Sequence, residues 1–455
     1  MRKIMRNVAK SLNIGIDKIL PDAFVLAIAL ALIALVAGLV MTDNGPLQMM
    51  VYFGEGFWNF LTFSMQMTMI VATGYMLASA PAIKRGLKRI CGVPKTPIQG
   101  AVFVALVAAG LGFFNWGLGL VAGAFVARNV ATNLKKVDFK MLVAVAYIGG
   151  SATGTIGLSG SEFLLVNTEG WFMQDIIGLI PLSETVFSSF GIVTAIVSFV
   201  IVVPLFSWLM HPTDEDTQPL PEEIRKAFEE QEKIELEAIQ QRKPWKEMTF
   251  AEKADNNPVI VYLLCAVLAI YLIDYFAKNG FNLTINITNI MILTIAMALH
   301  GTPSNVIVAA QEGVRSAFGV ALQFPIYGGI QGMMASSGMV ALIAAFFVNI
   351  STAATFPFIT YIYGAILNIF IPSSGGIFMV TGPSLAEAAT SLSVDHAKWI
   401  FAFTYGEGIS NIIQPFWAIP LLGLCKLKMK DIMGYSIVYF LAISVACLVI
   451  WGIMW

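Results

Sequence analysis

A polar break interrupts one of the most apolar stretches of the chain. Residues 371–376 read IPSSGG and lie between the apolar runs LNIF and IFMV. Proline lacks a backbone N–H, glycine weakens a helix, and the serines add hydroxyl groups. A similar break, FFNWGLG, occupies residues 113–119. Because backbone polar groups in hydrocarbon must be satisfied by protein or face a wet cavity, both breaks indicate a site enclosed by protein.

Such a break can bind ions of either sign. A helix that starts there presents a positive dipole end to an anion, and freed carbonyl groups can hold a small cation. Two stretches rich in glycine and hydroxyl groups, residues 146–161 and 403–417, are candidates for the same role. The candidate substrate ligands are Asn115, Trp116, Gly117, Ser151, Thr153, Asn368, Ser373, Ser374, Gly375, Gly376 and Asn411. The candidate coupling-ion ligands are Asn115, Gly154, Thr155, Asn368, Ser374, Glu407 and Ser410.

Glu407 is the acidic residue with the clearest expected function. It lies near the middle of an apolar segment, where an ionisable side chain is costly and is a functional candidate by default. It could ligate a cation, carry a coupled proton, or hold the broken segment by hydrogen bonds. No Lys or Arg falls in the middle of a predicted span. A carboxylate substrate would therefore depend on amide dipoles, hydroxyl groups and a bound cation, which favours a substrate of low charge.

The composition places these residues in an all-α polytopic membrane protein. Of 455 residues, 57% are hydrophobic and 12% are charged, whereas soluble domains carry about 25% charged residues. Between residues 214 and 255 lie 20 of the 55 charged residues, so the remaining chain is poorer still. Apolar runs of about 18 residues or more recur, and each is long enough to span a bilayer as a helix.

Eleven apolar segments are predicted, two of them as re-entrant helical hairpins and nine as membrane crossings. The hairpins cover residues 97–130 and 354–386, and each is broken in its middle. After each hairpin comes a helix with a predicted unwound centre, at 138–158 and 396–421. The other predicted crossings are residues 22–42, 55–79, 187–210, 257–279, 283–300, 313–336 and 429–455.

The distribution of basic residues supports this topology. Cytoplasmic loops carry an excess of Lys and Arg. With the N-terminus inside and both hairpins returning to their own side, only Lys278 and Lys398 of the 27 basic residues fall outside. The sequence therefore predicts a multi-pass protein of the bacterial cytoplasmic (inner) membrane, with a cytoplasmic N-terminus and an external C-terminus.

The two halves of the chain resemble each other. Asn115 corresponds to Asn368, and YIGG at 147–150 corresponds to YGEG at 405–408, at offsets of 253 and 258 residues. An odd number of crossings separates the halves, so the repeats are inverted, an architecture common in secondary transporters. The predicted organisation is a first inverted repeat at 1–210, a charged cytoplasmic linker at 211–256, a connecting transmembrane helix at 257–279 and a second inverted repeat at 280–455.

Other functional classes lack their motifs. The three histidines, His211, His300 and His396, lie at segment ends, and neither an HExxH nor a GxSxG motif occurs. The chain has no GxxxxGK[ST] loop, and its four cysteines form no CxxC pair. We expect no enzymatic activity, no cofactor and no nucleic-acid partner, whereas membrane lipid is an expected partner. A passive anion channel remains an alternative.

The combined motifs identify a family. GEGFWNFLTFSMQM, the NWGLGL break, YIG…SGS, NIFIPSSGG and YGEG…QPFWAIP resemble the bacterial short-chain fatty acid transporter family over nearly the whole chain. That family is similar to a wider superfamily of ion-coupled transporters, which includes sodium–dicarboxylate symporters. The resemblance implies a homodimer with a scaffold domain and an elevator-type transport domain. It implies short monocarboxylates such as acetate, butyrate or acetoacetate as substrates.

The resemblance also bears on the coupling ion. In the wider superfamily, Ser-Asn-Thr motifs at the hairpin tips bind both carboxylate and sodium. Here the tips hold Asn115-Trp116-Gly117 and Asn368 with Ser373-Ser374. The predicted function is cation-coupled symport of a small carboxylate, with either sodium at the two hairpin tips or a proton on Glu407 as the coupling ion. A dicarboxylate or an amino-acid derivative is the alternative substrate.

Overall fold

The structure is a computed structural model of the chain. It describes residues 3–8, 11–12, 23–59, 61–114, 116–158, 160–167, 169–171, 173–213, 215–240, 243–280, 284–371, 374–415 and 417–455. Every regular element in these ranges is helical, and none is a strand.

The helices follow the apolar segments along the chain. Those of the first half are α1 (Ala23–Met41), α2 (Pro46–Asn59), α3 (Leu61–Ser79), α4 (Pro81–Ile90), α5 (Pro97–Phe114), α6 (Trp116–Asn133), α7 (Phe139–Thr155), α8 (Ser161–Val166), α9 (Gln174–Ile177), α10 (Ser189–Ala195) and α11 (Val203–Met210), with a π-helical stretch (Ile196–Val202) between α10 and α11. Those of the linker and second half are α12 (Glu222–Gln240), α13 (Phe250–Asp255), α14 (Pro258–Asn279), α15 (Ile285–His300), α16 (Pro303–Ser336), α17 (Met339–Asn349), α18 (Phe356–Phe370), α19 (Ser374–Ser391), α20 (His396–Ser410), α21 (Ile419–Cys425) and α22 (Met429–Met454).

Several of the described helices can cross a membrane by length and composition. Four qualify outright, namely α5, the continuous Ser189–Met210 helix, α14 and α22, and α16 with α17 makes a fifth if this pair, bent by 66°, is one span. Along α14, Leu263, Val267 and Ile270 are each more than 60% exposed. Large apolar side chains that face outward along a whole helix are typical of contact with lipid. The protein is thus a polytopic helical membrane protein, as predicted.

The helices form two packing groups. In the first, the α16 group (α1–α3 and α14–α17), α16 packs along α1, α2 and α3, and α15 packs on α3 and α14. In the second, the hairpin group (α5–α7, α10–α11 and α18–α22), α5 and α6 pack on α7, α18 packs on α20, and α22 packs on α7. The groups meet where α3 contacts α6, where α16 contacts α21 and where α17 contacts α19.

Helices α5 and α6 form a tight antiparallel hairpin. A Cβ atom on Gly119 would lie 2.7 Å from the Gly112 nitrogen, and one on Gly123 would lie 3.1 Å from the Ala108 Cβ. The two residue numbers of each contact add up to the same value, which is expected of two antiparallel helices joined near residue 115. Only small side chains permit so close an approach of two helices.

Each hairpin also packs closely on the helix that follows it. In the first half, a Cβ atom on Gly112 would lie 2.7 Å from the Gly150 carbonyl oxygen, and one on Gly149 would lie 2.5 Å from that of Ala105. In the second half, Gly364 packs in the same way on the Phe403 carbonyl and Gly406 on the Tyr361 carbonyl. A reciprocal pair of glycine contacts of this kind therefore occurs in each half of the chain.

These contacts change the expected position of the unwound segments. The sequence predicts unwinding in the stretch with Gly149, Gly150 and Gly154 and in the stretch with Gly406, Gly408 and Pro415. The helix α7 continues to Thr155 and α20 to Ser410, so only the later residues of each stretch lie at or beyond a helix end. The glycines serve close helix packing, and the chain leaves the helical path only after these contacts end. Non-helical backbone therefore follows Thr155 in the first half and occupies the described residues 414, 415, 417 and 418 in the second.

Two other elements differ from the prediction. The span predicted at 313–336 begins ten residues earlier, because Thr302 caps α16 by accepting a hydrogen bond from the Asn305 N–H and Pro303 occupies the first turn. Helix α17 was not predicted, since residues 339–349 are shorter than a membrane crossing.

The linker packs against the hairpin group at the start of α7. The Phe139 N–H donates to the Gln218 carbonyl at 2.9 Å, and the Gln218 N–H donates to Asp138 Oδ2 at 3.0 Å. Farther along, the Phe228 ring of α12 lies 3.5 Å from the Arg128 guanidinium of α6. The linker is therefore attached to the first hairpin and to the helix that follows it.

Candidate functional site

The predicted residues of the second half converge on Asn368, near the C-terminal end of α18. Its side-chain Nδ2 donates to the Glu407 carbonyl oxygen at 3.0 Å, to Ser410 Oγ at 2.9 Å and to Asn411 Oδ1 at 2.7 Å. Ser410 Oγ also donates to the Glu407 carbonyl at 2.8 Å. We call Asn368, Glu407, Ser410 and Asn411 the polar cluster.

The polar cluster concentrates oxygen atoms around one point. An amide group carries two hydrogens, so three oxygens share the two protons of Asn368 Nδ2. Asn368 and Ser410 are each 1% exposed, and buried polar groups require such partners. An amide oxygen, a hydroxyl and a backbone carbonyl are hard ligands of the kind that small cations prefer.

Glu407 is fully buried, with 0% of its surface exposed. Its carbonyl belongs to the polar cluster, and the next residue, Gly408, packs against Thr155 of α7. A Cβ atom on Gly408 would lie 2.7 Å from Thr155 Oγ1. Glu407 therefore lies where the helices α7 and α20 cross, which brings two predicted coupling-ion residues, Thr155 and Glu407, to the same crossing.

The first half supplies a second set of predicted residues. Trp116, at the start of α6, packs directly on Gly154, and its ring meets that of Trp417 edge to face at 4.7 Å. Gly117 is buried beside Gly74 of α3. These contacts bring the tip of the first hairpin next to the non-helical segment that follows α20.

The remaining hydroxyl residues bond mainly to backbone. Thr153 Oγ1 donates to the Ala109 carbonyl at 3.1 Å and Thr155 Oγ1 to that of Ser151 at 3.3 Å. Ser151 is 6% exposed within α7. Thr153 thus ties the first hairpin to α7, as back-bonded hydroxyls commonly do in membrane helices.

Two predicted site residues at the hairpin tips, Asn115 and Ser373, lie outside the described residues. The backbone of Ser374, Gly375 and Gly376 forms the first turn of α19. In the first half, Trp116 is likewise the first residue of α6. Each second arm therefore begins at its hairpin tip, so the N-terminal N–H groups of both helices lie there.

Two buried residues near these elements were not predicted as site residues. The Tyr147 hydroxyl of α7 donates to the carbonyl groups of Asn411 and Gln414, the latter at 3.1 Å. Glu162, on the short helix α8, is fully buried. A tyrosine in an apolar run is typical of packing, and residue 162 falls between the predicted spans 138–158 and 187–210. Neither residue therefore stands out in the sequence as a site residue.

A cleft of about 160 Å³ lies elsewhere, on the linker side of the hairpin group. Its lining includes Lys84, Lys88, Arg128, Arg225 and Phe228, from α4, α6 and α12. It is formed by the linker contact described above and does not include the polar cluster. Among the described residues, no group of three or more His, Cys, Asp or Glu side chains could hold a metal ion.

Comparison with known proteins identifies the family. The family model for short chain fatty acid transporters matches residues 4–454. A short-chain fatty acid transporter, so named, of Escherichia coli strain K12 is 37% identical over 422 residues, or 93% of each chain. One so named from Haemophilus influenzae Rd is 36% identical over 439 residues, or 95% of this chain and 96% of the relative.

Among solved structures, the chain aligns with the YdaH transporter of Alcanivorax borkumensis. It is 13% identical and aligns with 95% of this chain and 98% of its own, at a TM-score of 0.46. The family and the curated relatives are transporters, which confirms the prediction that the chain is not an enzyme. Together with the match over residues 4–454, these relatives show that the chain belongs to the short-chain fatty acid transporter family.

Proposed function

We propose that the protein is a cation-coupled symporter of short-chain monocarboxylates such as acetate, butyrate or acetoacetate. The family supports the substrate class. The polar cluster is the observation that carries the coupling mechanism, because three oxygens lie within 3.0 Å of Asn368 Nδ2 beside a fully buried glutamate.

The substrate carboxylate binds at the hairpin tips in this proposal. The N-terminal turns of α6 and α19 supply N–H groups and positive dipole ends. Asn115, Ser373 and Ser374 supply the polar side chains, and the adjacent Trp116 and Trp417 rings suit a short apolar tail. A single carboxylate then needs no arginine at the site.

In this proposal the cation binds at the polar cluster. Sodium would use the oxygens now bonded to Asn368, since these are hard ligands at the end of a helix. A proton would use Glu407, which is fully buried beside these oxygens. Both forms of coupling place positive charge near the substrate carboxylate, so the loaded site is close to neutral.

Movement of the hairpin group against the α16 group would carry the site across the membrane. The close glycine contacts make each hairpin and its following helix a single packed unit. We further propose a homodimer in the bacterial cytoplasmic membrane, with inverted repeats, a cytoplasmic N-terminus and an external C-terminus.

The test is uptake of labelled butyrate into proteoliposomes under separately imposed inward sodium and proton gradients. Saturable uptake that one gradient stimulates supports the symporter. Stimulation by sodium alone assigns the cation to the polar cluster oxygens, and stimulation by protons alone assigns it to Glu407. Unsaturable flux without either dependence would instead indicate a channel, and no butyrate uptake would refute the substrate class.

A further inference from the structure

The segment that follows α20 is held in place by a residue from the other half of the chain. Residues 411–413 form one turn of 3₁₀ helix, and the described residues 414, 415, 417 and 418 are non-helical. The end of a helix leaves carbonyl groups that can accept further hydrogen bonds. The carbonyl groups of Asn411 and Gln414 both accept hydrogen bonds from the Tyr147 hydroxyl of α7.

We propose that Tyr147 is a positioning residue for the coupling-cation site, an inference that rests on the proposed function. Its hydroxyl contacts the carbonyl of Asn411, and the side-chain oxygen of Asn411 is one of the three oxygens around Asn368 Nδ2. The phenol thus fixes the backbone from which a cluster oxygen projects. Tyr147 contacts neither substrate nor cation itself.

The equivalent tyrosine of the second half does not have this role. Tyr405, which corresponds to Tyr147 in the repeat, bonds through its hydroxyl to Ser198 Oγ in the π-helical stretch. Ser198 Oγ also lies 3.4 Å from Cys447 Sγ. The two tyrosines are equally buried, at 0% and 1% exposed. Since burial and repeat position are shared, the contact of Tyr147 with the non-helical segment reflects a specific use of this hydroxyl.

The polar groups that remain would rearrange without the hydroxyl. Gln414 N–H donates to the Asn411 carbonyl at 3.1 Å, so this carbonyl keeps one partner, whereas Gln414 loses the contact with α7. Residue 415 is proline and supplies no N–H to this segment. Removal of the hydroxyl should therefore loosen residues 411–418 while α7 and α20 remain folded.

The experiment compares Tyr147→Phe with Tyr439→Phe in proteoliposomes. Tyr439 is also fully buried in the hairpin group, and its hydroxyl bonds to Ser207 Oγ at 2.6 Å, away from the polar cluster. We expect Tyr147→Phe to raise the half-saturating cation concentration about tenfold, the effect of one buried hydrogen bond. The KM for butyrate at saturating cation should change less than about twofold, and Tyr439→Phe should resemble the wild type. Equal half-saturating cation concentrations for the two variants, or a change in the maximal rate alone, would overturn the proposal.

Hydrogen exchange supplies a second readout that does not depend on transport. In Tyr147→Phe, amide exchange of residues 411–418 should accelerate relative to Tyr439→Phe, and unchanged exchange would refute the positioning role. If Tyr147→Phe cannot be purified, the coupling cation should slow exchange of the same residues in the wild type, and no change would overturn the proposal. If wild-type uptake needs no cation, the proposed coupling is wrong, and the exchange comparison alone decides the role of Tyr147.

Discussion

Asn368 links the second hairpin to the end of α20 through a single amide nitrogen. Its hydrogen bonds reach the backbone of Glu407 and the side chains of Ser410 and Asn411. A change in this one side chain therefore alters both the hairpin tip and the segment after α20. Glu407 contributes its carbonyl to the polar cluster from α20, and none of its surface is exposed.

Replacement of Glu407 by glutamine tests its role as a proton carrier. The amide keeps the size of the side chain and removes its ionisation. If protons couple transport, uptake by the wild type falls as pH rises, and Glu407→Gln should flatten that profile. We expect a loss of uptake of roughly tenfold or more at low pH, as for replacement of a buried charged group.

Glu162→Gln is the matched control, because Glu162 is also fully buried but lies on α8. It should keep the pH dependence of the wild type. An unchanged pH profile in Glu407→Gln would instead assign Glu407 to cation ligation or to structure.

At the scale of the elements, the hairpins and their following helices depend on glycine contacts. Gly112 of α5 faces the Gly150 carbonyl of α7, and Gly364 of α18 faces the Phe403 carbonyl of α20. Backbone atoms on the opposite helix cannot rotate away as a side chain can. An added methyl group at these positions must therefore separate the two helices.

Gly112→Ala should destabilise the hairpin group by about 1–3 kcal/mol, the usual cost of overpacking a buried contact. The measurement is the thermal unfolding midpoint of the purified protein in detergent. Gly110→Ala is the control in the same arm, since a Cβ atom there meets nothing within 4 Å. The control should match or slightly exceed the wild type, because alanine favours a helix over glycine. An equal decrease of the unfolding midpoint in both variants would show that the close contact of Gly112 is not the cause.

The positions of these elements were largely predictable, but their contacts were not. Continuous apolar runs with central breaks predict two broken units at 97–130 and 354–386, and the structure has α5 with α6 and α18 with α19 in these stretches. Residue type and depth likewise select Asn368, Ser410 and Asn411. Tyr147 could not be selected, since its partner carbonyl groups lie 264 and 267 residues away in the chain. The glycines of α7 and α20 were assigned to unwinding, because sequence alone does not distinguish a flexible glycine from one in close packing.

Most of the described helices belong to two packing groups, which meet at α3 with α6, at α16 with α21 and at α17 with α19. Where they meet, Gly74 of α3 lies beside Val121 of α6, at 3.6 Å from an ideal Gly74 Cβ to Val121 Cγ2. Elevator-type transport requires this contact to slide. A covalent bond across it would hold the two groups in one state.

A cross-link between Gly74→Cys and Val121→Cys should abolish uptake reversibly. In a background without the four native cysteines, oxidation should lower butyrate uptake at least about tenfold, and reduction should restore it. The control is each single variant, Gly74→Cys or Val121→Cys, which cannot form the bond across the contact. Its oxidation should leave uptake unchanged. Full uptake by the oxidised Gly74–Val121 pair would exclude movement at this contact.

In the proposed mechanism, the polar cluster around Asn368 couples cation binding to monocarboxylate transport. Its most direct test is the initial rate of labelled butyrate uptake by Asn368→Ala in proteoliposomes under the gradient that stimulates the wild type. Asn129→Ala is the control, since the Asn129 amide bonds only to the Phe125 carbonyl of its own helix among the described contacts. If the polar cluster couples cation binding to transport, Asn368→Ala loses cation-stimulated uptake. At equal amounts of folded protein, Asn129→Ala keeps it. Cation-stimulated uptake of normal rate and cation affinity in Asn368→Ala would contradict this coupling.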